Sequence, residues 1–178
     1  PTPRGPVDRA VEISTSEQFE KIFDLPSRNC RLSVIIRDFF ANGGTNAVVV
    51  RISGTNKRSR MYLPGPAGNL VLEACNPGAL EYLRAAVDYD GIEPGVCGQF
   101  NLVLQRLREP DSVWVETQEY FRRISIDPAS RDYVGYALNQ STLATLVNEA
   151  PTARPLATRK SNSLSQPEYV DAERDKME

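Results

Sequence analysis

The chain of 178 residues contains no histidine. That absence excludes the Ser–His–Asp and Cys–His forms of nucleophilic catalysis and removes the commonest metal ligand. Cysteine is scarce: Cys30, Cys75 and Cys97 are odd in number and far apart, forming neither a zinc spacing nor a disulfide framework. Buried free thiols are the expectation for all three. An excess of one charge is also missing, with 21 Lys and Arg against 23 Asp and Glu for a formal net charge of −2. No global field therefore draws the protein to nucleic acid or anionic lipid, and Lys57-Arg58-Ser59-Arg60 is only a local basic spot. No run approaches the about 20 apolar residues of a membrane-spanning helix, so no membrane anchoring is expected. The opening "PTPRGPVDRAV" lacks the charged-then-apolar pattern of a signal peptide and begins without Met. It reads as a piece of a longer, cytosolically made protein.

The amphipathic patterns that remain place the chain in the mixed α/β (α+β) class. Val7 to Ile13 alternates apolar and polar residues, which predicts a short strand. In "STSE", Ser14 with Glu17 three residues on has the spacing of a capping box, ahead of a helix with Phe19, Ile22 and Phe23 on one face. Asp24-Leu25-Pro26 should end it. A second helix is predicted from Arg28 to Ala41, its stripe formed by Leu32, Ile35, Ile36, Phe39 and Phe40. Asn42-Gly43-Gly44 then reads as a C-terminal joint, with Gly43 in the left-handed conformation. Residues 47–52, rich in β-branched side chains, read as a strand buried on both faces.

Residues 53–69 are polar and rich in glycine and proline. "PGPAG" lacks the Gly-Lys-Ser/Thr ending of a phosphate loop, so a surface loop is expected. Strands follow at 70–74, 83–88 and 100–105, making 53–120 a β-rich, loop-rich portion within a mixed sheet flanked by helices. "DYDG" lacks the later ligands of a calcium loop, and Asp88 and Asp90 read as turn residues. Asp127 as cap and Pro128 at the first helical position predict a helix with Tyr133, Val134, Ala137 and Leu138 as its apolar face. Leu143 to Val147 resumes strand character. One domain over 1–150 is expected, followed by a flexible linker or extended arm over 151–178.

Catalysis requires polar groups that converge. The candidates are Asp38, Asp88, Asp90, Glu116 and Asp127, and none is paired at a spacing that implies general acid–base work. Glu116 and Glu119 share a face if they lie on a helix, where solvation accounts for them. Trp114, between Val113 and Val115, is expected to pack. No catalytic, cofactor-binding or metal-binding residue is assigned, and no cofactor is expected. The residues singled out are structural: Ser14, Glu17, Asn42, Gly43, Gly44, Asp127 and Pro128.

Four stretches taken in order resemble the tail sheath proteins of contractile phage tails and related contractile injection systems. "GPVDRAVEISTSEQFEKIFD" is similar to the family's opening, and "LSVIIRDFFANGGTNAVVVRIS" to its apolar helix, Asn-Gly-Gly turn and strand. "LVLEACNPGALEYLRAAVDYDG" resembles a third segment but has Leu80-Glu81-Tyr82 where the family has Trp-Gly-Asn. "FNLVLQ" with "ETQEYFRRISIDPASRDYVGYALNQSTLATLV" resembles the last. The likeness spans most of residues 5–147, and the family's C-terminal portion is not recognisable in 151–178. It implies a non-enzymatic structural subunit that stacks in sixfold rings around an inner tube, with other sheath subunits, the tube protein and baseplate components as partners. It also implies a place in a virion tail or contractile particle made in a bacterial host. The alternatives are an α/β enzyme or nucleotide-binding domain, and a generic bacterial interaction domain.

Overall fold

The computed structural model describes residues 2, 4–23, 31–54, 57–78, 81–109, 112–158 and 170–171. Its chain divides into two compact units, residues 1–57 with 76–80, and residues 58–75 with 81–178. The division therefore does not fall at residue 150.

In the first unit, Ala10–Ile13 (β1) pairs antiparallel with Ala47–Val50 (β2), and between them in sequence lie Ser16–Phe23 (α1) and Arg31–Ala41 (α2). Val7 joins only through an isolated bridge to Arg51. Phe19 and Phe23 stand one helical turn apart, stack with ring centroids at 5.3 Å, and are buried with Ile13, Ile36 and Val49. Each such side chain stabilises the unit by about 1.5–3 kcal/mol. The cap of α1 is shifted by one residue from Ser14 and Glu17. Thr15 Oγ1 accepts from the Gln18 amide at 3.2 Å, and Gln18 Oε1 accepts from the Ser14 amide at 2.7 Å. Ser14 instead donates its hydroxyl to Asn46 Oδ1 at 3.2 Å. Thr-x-x-Gln meets the same chemical requirement as Ser-x-x-Glu, and the competing contact to Asn46 decides between them. The stop at 24–26 and the start at 28–30 lie outside the described residues.

The stripe of α2 is split. Ile36 is buried and Phe40 packs partly against the core, whereas Leu32, Ile35 and Phe39 are exposed, Ile35 by 59%. Strand β2 is likewise buried on one face only: Val49 is in the core, but Val48 is 65% and Ile52 84% exposed. In a sheet of two strands with one apolar face covered, alternate residues have no layer to pack against. Two arginines tie the N-terminal stretch and the segment around Pro77 to this unit. Arg4, 2% exposed, donates Nη2 to the Lys21 carbonyl in the last turn of α1 at 3.4 Å. Arg51 donates to the carbonyls of Thr2, Gly5 and Pro77, which joins 76–80 to the unit.

The second unit contains two sheets. Arg60–Leu63 (β3), Leu70–Ala74 (β4) and Ala144–Leu146 (β8) lie in the order β3-β4-β8. Tyr82–Asp88 (β5), Gln99–Leu107 (β6), Val115–Ser125 (β7) and Val170–Asp171 (β9) lie in the order β7-β6-β5-β9. A single buried cluster joins their faces: Met61, Leu63 and Leu72 from one, and Val87, Leu102 and Leu104 from the other. Strand β3 corrects the expected loop over 53–69. Met61 and Leu63 alternate with Arg60 and Tyr62, a pattern too short to stand out among the flanking glycines and prolines. All pairings between named strands are antiparallel, and with three helices among the described residues the fold is mixed α+β.

The third helix is Val134–Leu138 (α3), shorter than expected and with Tyr133 as its N-cap. Asp127 and Pro128 open a turn before it. Asp127 Oδ1 accepts from the Ala129 amide at 2.9 Å, and the Asp127 carbonyl from the Ser130 amide at 3.0 Å. The same Asp-Pro pair suits both a helix start and a turn, and Ser125 pairing with Asp132 and Tyr133 holds the turn here. Residues 151–158 lie along this unit, with the Leu156 amide on Pro64 O at 2.7 Å and the Thr158 amide on Val87 O at 2.9 Å.

Candidate functional site

Two polar clusters stand out, both in the second unit. The first forms where β5 ends and β6 begins. Asn101 is 3% exposed and satisfies its amide fully: Nδ2 donates to Asp88 Oδ1 at 2.6 Å and to the Asp90 carbonyl at 3.0 Å, while Oδ1 accepts from the Arg123 amide at 2.9 Å. Asp88 Oδ1 also accepts from the Asp90 amide at 3.0 Å, and Tyr120 donates to Oδ2 at 3.4 Å. Arg123 sits at φ +53 and donates Nη2 to Gly91 O at 3.1 Å. Burial first, and the Asp88 charge second, raise the Tyr120 hydroxyl pKa. Opposite Asn101 the register of β6 and β7 breaks, and the amide holds that bulge shut. Leaving such a group unpaired costs about 1–3 kcal/mol.

The second cluster joins β7 to the turn before β8. Glu119 Oε1 accepts from the Thr142 amide at 2.8 Å and its hydroxyl at 2.7 Å, while Oε2 takes the Ser141 hydroxyl. The Ser141 oxygen also accepts the amides of Leu143 and Ala144, each at 3.1 Å. A hydroxyl engaged in this way pins a turn and does not point toward a substrate. Cys75 lies beside it, half-buried, with Sγ 3.7 Å from the Ser141 carbonyl. Burial first, then the Glu119 charge, raises its thiol pKa, which is the reverse of what a nucleophile requires.

The candidate carboxylates do not converge. Asp88 and Asp90 meet at the Asn101 corner, Glu116 sits at the other end of β7 beside the Arg106/Leu107 register break, and Asp127 serves its turn. Asp38 belongs to the first unit, where its carbonyl accepts the backbone and side-chain amides of Asn42 at 3.0 and 2.7 Å. Glu116 and Glu119 lie on a strand, so the helix face proposed for them does not exist. Trp114 is 76% exposed and packs into no core, and Cys97 is exposed as well; Cys30 is outside the described residues. Among the described residues no group of three or more Cys, Asp or Glu could hold a metal ion, and no helix is long and apolar enough to cross a membrane.

The glycine joint has well-defined geometry. The Gly44 amide donates to Phe39 O at 2.9 Å and the Gly43 amide to Phe40 O at 3.1 Å, the paired bonds of a Schellman motif. Gly43 takes φ +89 in open space, while a Cβ on Gly44 would meet the ring of Phe39.

No family model matches the chain, and no curated protein matches it.

Sequence reasoning missed Glu81, Asn101 and Arg4. Glu81 is buried with its Oε2 3.1 Å from Arg106 Nε. Each is a lone polar residue in an apolar context, which is the one signal available, and one that exposed residues share.

Proposed function

We propose that the chain is a structural subunit of a contractile tail sheath, or a stable piece of one. Copies form stacked sixfold rings around an inner tube above a baseplate, in a phage tail or related particle made in the bacterial cytoplasm. Contraction of that lattice drives the tube through a cell envelope. The observation that carries the reading is the ordered series of four segments, above all "LSVIIRDFFANGGTNAVVVRIS" with its helix, Asn-Gly-Gly joint and strand. Two features support it. Asn101 serves a bulge, Glu119 and Asp127 serve turns, and Thr15 with Gln18 serves a cap. The first unit leaves Val48, Val50 and Ile52 exposed on β2 and just after it, and Val34 and Ile35 on α2, apolar side chains that subunits would bury in an assembly.

The doubly wound form of the alternative is not favoured. It requires parallel strands with a crevice at their C-terminal ends, and the pairings here are antiparallel. The test is quantitative mass spectrometry of contractile particles purified from cells that encode the chain. The reading predicts its peptides at a copy number matching the tube protein. Particles that contract without this chain would contradict it and leave a generic interaction domain.

A further inference from the structure

The four-stranded sheet protects its two sides in different ways. Strand β7 is an outer strand of 11 residues. It carries Glu116, Glu119, Arg122 and Arg123, and both register breaks with β6 place the additional residues on it. Charges and bulges of this kind stop an edge from pairing with another chain. Strand β5 has no bulge and fewer charges. Its seven residues keep an unbroken register with β6, only Arg84 and Asp88 are charged, and Leu83, Ala85 and Val87 alternate as core residues. A strand of this composition is prone to edge pairing.

What covers it is the C-terminal segment. Thr158 donates its amide to Val87 O at 2.9 Å, and its Oγ1 accepts from the Val87 amide at 3.1 Å. β9 continues the cover, with Val170 opposite Ala85 and Asp171 opposite Arg84. The segment is fastened upstream. The Arg154 guanidinium lies 3.8 Å from the Tyr89 ring centroid and donates to the carbonyls of Val96 and Gln99 at 3.1 and 2.8 Å. The Tyr89 hydroxyl donates to Pro155 O at 2.5 Å.

We propose that residues 154–158 with β9 form an edge guard, an intramolecular contact that keeps β5 from pairing with β5 of a second copy. The partner is self-complementary. In an antiparallel pair centred on Ala85, Leu83 lies opposite Val87, and Tyr82 lies opposite Asp88. The guard does not rest on the sheath reading, since it concerns only the sheet of the second unit.

The experiment uses the full chain with Arg154→Ala and Thr158→Pro combined, which removes the cation–π clamp, the Thr158 backbone donor and its hydroxyl. Amide exchange at Val87 and light scattering behind size exclusion, over a range of concentrations, are the readouts. The guard predicts Val87 exchange accelerated by about tenfold or more. It also predicts a mass rising from one copy toward two with concentration, while the parent chain stays at one. Should the double variant lose its near-ultraviolet circular dichroism, Thr158→Val decides. It keeps the backbone donor, removes the hydroxyl, and should give the same two changes in smaller measure. Unchanged Val87 protection overturns the proposal. So does faster exchange with no gain in mass, or a parent chain that associates and loses association in the variants.

Discussion

Gly43 and Gly44 stand side by side and are required for different reasons. Gly43 is set by its backbone, at φ +89 with nothing within 4 Å of the place a Cβ would take, whereas Gly44 is set by the Phe39 ring above it. Gly43→Val should therefore cost on the order of 1–2 kcal/mol, while Gly43→Asn, which tolerates the left-handed region, should cost little. Paired thermal melts check this, and equal melting temperatures for the glycine and valine proteins would sink it. The two described cysteines offer a second contrast. Burial raises the Cys75 thiol, so the folded chain holds that proton longer than the unfolded chain does. Its contribution is complete below the unfolded thiol pKa and is lost as pH rises through the window above it. At mildly alkaline pH a thiol-specific reagent should label exposed Cys97 before Cys75. Labelling of Cys75 first would show that the burial does not hold in solution.

Elements whose apolar period had room to repeat were legible in the sequence: β4 is where "LVLEA" puts it, and β5, β6 and α1 lie within a few residues of expectation. Sequence pattern failed where it cannot say what covers a face. The stripe of α2 has five apolar residues, and hydrophobicity alone does not reveal that Ile36 faces the core while Ile35 faces out. That assignment is testable. Ile36→Ala should destabilise by about 2–5 kcal/mol. Ile35→Ala should stay within about 0.5 kcal/mol of the parent. Denaturant titrations of both variants check it, and equal costs would mean that the outer half of the stripe is buried too. Strand β3 was missed because four residues give too few repeats of period two. The structural residues fared unevenly for a related reason. Ser14 and Glu17 yielded to Thr15 and Gln18 because neighbouring residues carry the same chemistry, and Asn46, distant in sequence, made the choice. The Asn101 corner depends on Asp88, Arg123 and a bulge, none of which a single segment reveals.

At the scale of the whole molecule, both units leave large apolar side chains on their surfaces. In the second, contacts such as Glu119 on Thr142 and Thr158 on Val87 close a turn and a strand edge, while Val113, Trp114 and Tyr136 are exposed. In the first, apolar side chains on α2 and β2 stay exposed. Of the candidate carboxylates, Asp88 and Asp127 accept amide bonds at separate turns, Glu116 lies near the start of β7, and Asp38 lies on α2. The proposed sheath role would place the chain's work in contacts between subunits, where bistable packing can store and release conformational energy. The measurement that tests this most directly is immunogold electron microscopy of contractile particles from cells encoding the chain, with antibody raised against it. The sheath reading predicts label along the full length of extended tails and its retention on the shortened, thickened sheath after contraction. Label confined to cell debris, with bare tails in both states, would contradict it.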